Sequence, residues 1–442
     1  MFIKRISRRQ FLQNSVLKTV GSSLLFSSNI LQSCKKKENK RHNIHLGFIG
    51  LGAQAIYLLN HFIRIDGVRV VAGVDVYQPK RVRFHKFVRE FYGAKGETSA
   101  VDVYDNYRNI LLDDNVDAVI IATPVHWHAL IAIEACQAGK DIYLETPLTF
   151  TVYEGQELIK AVRKHKRILQ VGGQQRSDKN TQHAVRMIQE GRLGELEKIK
   201  IHVPSPPKTY DLPLEPVPPG LNWDRWLGPL SASIHYNKAL NPPILLDPVQ
   251  DEQFSAAWRH YKEMSNGMSD WGFQMFDVIQ WALNKDGSGP VKVIPKGVNG
   301  ATCLTYIYDN GISALVEVCN RESDMGIEFH GKTGSWLHLK RDSCLTSDSS
   351  LLLPEDQKSK KTDIQIAHSS VFIDAIRSRK DPNVPVEVGH SACSMCVIGN
   401  IACELEQALD WDPKAQKFTN SERANIKLHY KYRDNYNIGN SI

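Results

Sequence analysis

Residues 44–55, IHLGFIGLGAQA, read as a buried strand, a glycine turn and the opening of a helix. Gly50 and Gly52 let the chain turn tightly and bring its backbone against a pyrophosphate, which then rests on the helix N-terminus. Leu51, Ala53 and Gln54 complete that turn, and Ala55 takes the third small position, where helix and strand pack closely. A second apolar strand, VRVVAGVD, ends at Asp75 about twenty residues on, where a carboxylate accepts hydrogen bonds from ribose hydroxyls. Strand, turn, helix and spaced acid together indicate a dinucleotide site, and the unphosphorylated ribose favours NAD over NADP.

Outward from this stretch, strand and helix patterns alternate as far as residue 172. Strands are expected over 45–50, 68–75, 118–122, 141–144 and 168–172, and helices over 54–64, 79–92, 107–112, 129–138 and 152–166. Short apolar runs closed by Gly, Asp or Pro fit strands covered on both faces, hence a Rossmann domain over 44–172. Beyond it, a helix over 180–190 and a strand near Ile199 lead into a proline-rich segment, 204–219, that suits a functional loop or a wrap around another subunit. Strands over 312–319, 326–331 and 335–340, with turns at Asn310-Gly311 and Thr333-Gly334, have antiparallel character. Helices over 367–379 and 390–409 follow. The fold class is therefore α/β: a Rossmann domain, then a C-terminal α/β domain over 173–442 built on a mostly antiparallel sheet.

The first 43 residues differ in kind. SRRQFL at 7–12, with Arg8 and Arg9, has the look of a twin-arginine export signal, followed by a modest apolar run and Leu31-Gln32-Ser33-Cys34, which resembles a lipoprotein cleavage site. Residues 1–34 thus read as a signal and 35–43 as a basic linker, placing the protein on the periplasmic side with a lipid anchor at Cys34. The run is too short and polar to remain as a membrane span. These 43 residues hold ten Lys and Arg against one acid, so the remainder has 45 against 47. A near-neutral body excludes nucleic acid as an electrostatically recruited partner. Free dinucleotide is scarce outside the cytoplasm, so an exported protein of this kind would carry its cofactor tightly bound. Cys393-x-x-Cys396 lies in an apolar helical pattern with no second pair for zinc, and reads as buried thiols; no metal site is read.

Several longer motifs carry a resemblance. GFIGLGAQA, ATPVHWHALIAIEACQAGKDIYLETPLT, QVGGQQRSD, NWDRWLGP, DWGFQMFDVIQWAL and RSRKDPNVPVEVGH resemble, in order and along nearly the whole chain after the signal, the Gfo/Idh/MocA family of oxidoreductases, in its secreted bacterial branch. The resemblance implies hydride exchange between nicotinamide and a sugar, inositol or glycoside, by a homo-oligomer. It places Thr123, Pro124, His126 and His128 beside the nicotinamide half of the cofactor, at the carboxyl end of a parallel strand; His128 reads equally as the start of the next helix. Glu145 and Gln174 join the cofactor set.

Two positions depart from the family pattern. E-K-P appears as Glu145-Thr146-Pro147, and a threonine hydroxyl is too weak an acid to relay a proton alone. G-x-H-x-x-D appears as Gly272 to Asp277 with Gln274 for histidine; glutamine binds a hydroxyl but does not titrate. Tyr261 and Lys262 stand as candidates for a displaced acid/base pair, or else as a packing tyrosine and a surface lysine. Arg176, Trp223, Asp270, Gln274 and Asp277 are candidates for substrate binding. Trp223 and Trp226 stack on a sugar face or pack in a core, and the two aspartates bind hydroxyls or serve structure. Three functions fit: an exported oxidoreductase of sugar or glycoside hydroxyls, an NAD-dependent glycosidase working by transient oxidation and elimination, or a sugar-binding relative without catalysis.

Overall fold

The computed structural model describes residues 43–98, 100–203, 206–242, 256–265, 268, 271–319, 324–340, 343–433 and 436–438. The signal, the linker and Asp270 therefore lie outside the described residues. The first layer is built from β1 (Ile44–Ile49), α1 (Ala53–Phe62), β2 (Val68–Val74), α2 (Gln78–Gly93), β3 (Asp102–Tyr104), α3 (Tyr107–Leu111), β4 (Ala118–Ile121), α4 (His128–Gln137), β5 (Asp141–Leu144), α5 (Val152–His165) and β6 (Leu169–Val171). The strands run parallel in the order β3-β2-β1-β4-β5-β6. This is the doubly wound order, and its switch point, between β1 and β4, opens a crevice at their carboxyl ends. β4 and β5 are buried along their whole length, as strands covered on both faces must be. Only β3, an edge strand of three mostly exposed residues, lacks an apolar pattern in the sequence.

The second layer contains α6 (Lys179–Gln189), β7 (Leu196–Val203), α7 (Trp223–Leu227), α8 (Trp271–Ala282), β8 (Lys292–Ile294), β9 (Leu304–Ile307), β10 (Ser313–Val318), β11 (Gly326–Gly331), β12 (Trp336–Lys340), β13 (Cys344–Thr346), α9 (Lys361–Ser378), α10 (Val386–Leu405), β14 (Leu409–Asp412), β15 (Lys417–Phe418) and α11 (Glu422–Ile426). Its nine strands follow the order β13-β12-β11-β7-β10-β9-β8-β14-β15, antiparallel except where β7 meets β10. Alternation sends Ile199, Ile201, Phe329, Leu337 and Leu339 into the core, with Phe273, Phe276 and Met395 from α8 and α10. α10 also buries Cys393 and Cys396, and burial pushes the Cys393 thiol up to about 11.

Sequence order and spatial order part company twice. α9 returns to the first sheet, where Phe372 packs against Phe62 and Tyr143 with ring centroids 6.2 and 5.9 Å apart. Within the proline-rich segment, Lys208 N donates to His260 O at 2.9 Å and Glu215 N donates to Tyr236 O at 3.0 Å, and the residues just beyond it also fold back on this chain. Gln78 N donates to Gly220 O, Asn222 N donates to Val76 O, and Trp226, Leu227, Leu230 and Ile234 form a third apolar cluster with Val125. A stretch poor in regular structure is thus held by side-chain burial beside the crevice rather than by a ladder.

Candidate active site

At the crevice, Gly50 sits at φ +81°, and a Cβ there would lie 2.8 Å from the carbonyl oxygen of Ala122. Glycine is required on both counts. Gly52, at φ −73°, precedes α1 without a side-chain cap, and a Cβ on it would meet nothing within 4 Å. The first turn of α1 contains no acid, so its amides present an uncompensated positive end to an open space. Asp75 is fixed beside it. Its Oδ2 accepts from Leu51 N at 2.8 Å and its Oδ1 from Tyr77 N at 2.9 Å, while Arg83 donates to Leu51 O at 2.9 Å. An open cradle of amides next to an oriented carboxylate fits a dinucleotide, with the diphosphate at residues 50–54 and a ribose at Asp75.

Across the crevice, the ends of β5 and β6 meet α8. Gln54 Nε2 donates to Glu145 Oε1 at 2.9 Å, and Thr146 N donates to Glu145 Oε2 at 3.1 Å, before a cis Thr146–Pro147 peptide. Gly172 lets the Glu145 carboxylate approach, since a Cβ on it would lie 2.8 Å from Oε2. Gln274 Nε2 donates to Gly172 O at 2.9 Å and to Gln174 Oε1 at 3.3 Å. Gln274 Oε1 and Thr123 Oγ1 are buried with no hydrogen-bond partner among the described residues. Buried polar atoms in that condition cost free energy unless a ligand or water meets them. Gln54, Thr123, Glu145, Gln174 and Gln274 are thus gathered around one crevice. The Gln54–Glu145 contact, which ties the nucleotide turn to the substrate side, has no signature in sequence spacing.

The two histidines do something else. His128 is 1% exposed, its Nδ1 2.8 Å from Pro147 O and its Nε2 2.9 Å from Thr123 O. His126 is equally buried, and Trp226 O receives both its Nε2 and Trp127 Nε1 at 3.0 Å. Burial pushes each imidazole down to about 4, so at neutral pH each ring is uncharged and keeps a single N–H, which donates to one carbonyl oxygen. They pin the loop after β4 to neighbouring segments, a structural use of both rings at the edge of the crevice. Pro124 precedes the single 3₁₀ turn Val125–Trp127 that delivers them.

Burial also pushes His368 down to about 4, which yields an expected pH dependence. An unfolded imidazole binds its proton near 6.5 while these three refuse it until about 4, so the unfolded state binds more protons in between. Their contribution is complete above pH 6.5 and is lost as pH falls towards 4. Glu154, pushed up to about 7 by burial, and Asp277, also raised by burial, act in the opposite sense, but as two groups against three. Melting temperature should therefore fall between pH 6.5 and 4.5, and more steeply in Glu154→Gln. A flat profile would contradict the assignment.

Several substrate candidates are committed to structure. Asp277 is fully buried, and both its carboxylate oxygens accept from Arg176 Nε at 3.0 Å. Arg176, 6% exposed, also pairs with Asp286 and lies 5.0 Å from the centroid of the Trp281 ring. This network docks α8 on the turn after β6 and leaves neither residue facing substrate. Trp223 donates its Nε1 to Ile234 O at 3.1 Å, and one face is stacked on Trp226 at 4.5 Å. It packs; a sugar does not share that face. Tyr261 is 3% exposed, edge-on to Tyr210 at 5.2 Å. Lys262 is exposed and lines a cavity of about 620 Å³ with Phe150, Ser231, Ser233, Tyr430 and Arg433. The C-terminal residues in that wall were missed by sequence reasoning, although their interleaved basic and aromatic side chains, KLHYKYR, are a visible signal.

Comparison with known proteins adds to this geometry. Residues 44–173 match the pattern described as oxidoreductase family, NAD-binding Rossmann fold, and 207–438 match that described as oxidoreductase family, C-terminal alpha/beta domain. The chain belongs to the Gfo/Idh/MocA family. Among curated relatives, glycosyl hydrolase family 109 protein 2 of Shewanella sp. (strain ANA-3) is 31% identical over 163 residues, covering 36% of this chain and 34% of the relative. The alpha-N-acetylgalactosaminidase of Shewanella oneidensis is 26% identical over 206 residues, covering 43% and 44%. The match thus spans less than half the length of these relatives. Scyllo-inositol dehydrogenase from Lactobacillus casei, solved with NAD(H) and scyllo-inositol, superposes with a TM-score of 0.54 at 16% identity, covering 83% of this chain and 99% of that one. The aldose-aldose oxidoreductase from Caulobacter crescentus gives 0.55 at 16%, with the same coverage. At such identity these structures establish the shared fold.

Proposed function

We propose that the chain is an exported oxidoreductase of sugar or glycoside hydroxyls that keeps its dinucleotide tightly bound. The observation that carries this reading is one crevice holding both the open amide cradle at Gly50–Gly52 and the linked Glu145, Gln174 and Gln274 side chains. When bound, NAD supplies the hydride acceptor. The free main-chain amides at residues 52–54 would hold the diphosphate, and Asp75, fixed by the Leu51 amide, would hold ribose hydroxyls, a preference for NAD over NADP. Gln274 Oε1, lacking a partner, accepts from a substrate hydroxyl and orients it without taking its proton. Proton handling is assigned to Lys262, which lines the cavity with Phe150, and to its buried neighbour Tyr261. Export, with anchoring at Cys34, favours a cofactor loaded before secretion, and assembly into a homo-oligomer follows the family.

Purified protein is to be incubated with a panel of glycosides and assayed for keto-sugar and for bound NADH absorbance. Lys262→Ala and Tyr261→Phe are expected to lower turnover at least about 100-fold while the protein stays folded, the lower end of the usual range for a general acid or base. Turnover unchanged in both variants would remove these residues from the reaction. A second reading, redox-neutral glycoside cleavage, is favoured by the glycosidase names of the curated relatives. It requires solvent deuterium in the released sugar with no net change in dinucleotide. Released sugar free of deuterium would exclude it.

A further inference from the structure

The face of the second sheet opposite its core carries an unassigned group of side chains. His202 on β7, Glu328 on β11 and His338 on β12 each offer one ligand atom, and these atoms lie within 4.8 Å of one another. Register explains the convergence. His338 stands directly opposite Glu328, and His202 stands opposite Gly326, two residues along the same face of β11. Gly326 leaves the space between the two imidazoles empty, since a Cβ there would lie 3.0 Å from His338 Nε2. The rings consequently approach to 5.9 Å between centroids.

We propose that His202, Glu328 and His338 form a binding site for a first-row divalent cation, zinc by preference, with water in the fourth position. Two imidazoles and a carboxylate form a donor set typical of zinc, and His202 Nε2 already lies 2.9 Å from Glu328 Oε1. His338 Nε2 is inaccessible and has no hydrogen-bond partner among the described residues, an orphaned lone pair or N–H beside the carboxylate. Supporting groups stand behind the ligands. Coordination through His202 Nε2 leaves the ring proton on Nδ1, 3.7 Å from Glu317 Oε2, the carboxylate-histidine-metal relation. His330 Nε2 holds the other carboxylate oxygen of Glu328 at 2.8 Å. The ion would tie three strands of the sheet together, independently of the crevice and of the activity proposed for it. Sequence spacing hides the site because each ligand comes from a different strand.

Tag-free full-length protein, stripped with chelator, is titrated with Zn²⁺ by calorimetry and with Co²⁺ by visible absorption. One ion per chain is expected, with a d–d band of four- or five-coordinate Co²⁺ and no thiolate charge-transfer band, since no cysteine takes part. His338→Asn and His202→Asn should each weaken binding at least about 100-fold, and Glu317→Gln about 10-fold, with unchanged circular dichroism. Absence of binding in the parent protein, or one-to-one binding that survives His202→Asn/His338→Asn, overturns the proposal.

Discussion

Gly52→Val is expected to weaken NAD binding at least about 100-fold, or ~2.7 kcal/mol, while the protein keeps its fold. The open space beside Gly52 receives a side chain without a clash within the protein, and φ −73° suits any residue. That same space is where the diphosphate must lie against the amides of α1. Stability should change by no more than about 1 kcal/mol, since valine is only a poorer residue before a helix than glycine. Gly50→Val supplies the contrast. With φ +81° and the Ala122 carbonyl 2.8 Å from a Cβ, it should cost about 1–3 kcal/mol of stability or more and disturb β1 itself. Intrinsic fluorescence titration with NAD, paired with urea unfolding, separates the two effects. Equal affinity in Gly52→Val and the parent protein would place the nucleotide elsewhere.

Arg176→Met is expected to cost about 3–5 kcal/mol of stability, because it strands the fully buried Asp277 carboxylate without its partner. Burial raises the affinity of Asp277 for a proton, and the neighbouring guanidinium counters this, so losing the arginine leaves only the penalty. Arg176→Met/Asp277→Leu removes both charges and should recover most of the loss, since well-packed apolar groups often replace a buried pair at little cost. Urea unfolding of the three proteins measures this. A weakened KM at unchanged stability would instead return Arg176 to the substrate, as its sequence position suggested.

That pair also shows what the sequence reveals and what it hides. Gly50, Gly52, Asp75 and the run of buried strands were legible because the chemistry of a nucleotide turn fixes both residue type and spacing within one βαβ unit. The expected strand over 141–144 and the helix over 152–166 match β5 and α5 to within a residue. β8, β9, β14 and β15 were not legible. They are two to four residues long, too short for alternation to register, and pairing across the sheet holds them. Site residues failed for a related reason. Arg176 and Asp277, 101 positions apart, look like polar groups near a substrate until burial shows them satisfying each other. His126 and His128 likewise look chemical in sequence, yet burial against carbonyl oxygens makes them fastenings. Polar residue type signals that a partner is needed, and only the fold says which partner it finds.

The central claim is that a dinucleotide lies across the carboxyl edge of the first sheet, with its diphosphate on the amides after β1. A crystal grown with millimolar NAD tests this most directly. The expected density has two phosphates against the backbone of residues 52–54, a ribose on Asp75 and a nicotinamide towards Gln274. An empty crevice at that concentration, with NADP equally absent, would contradict it.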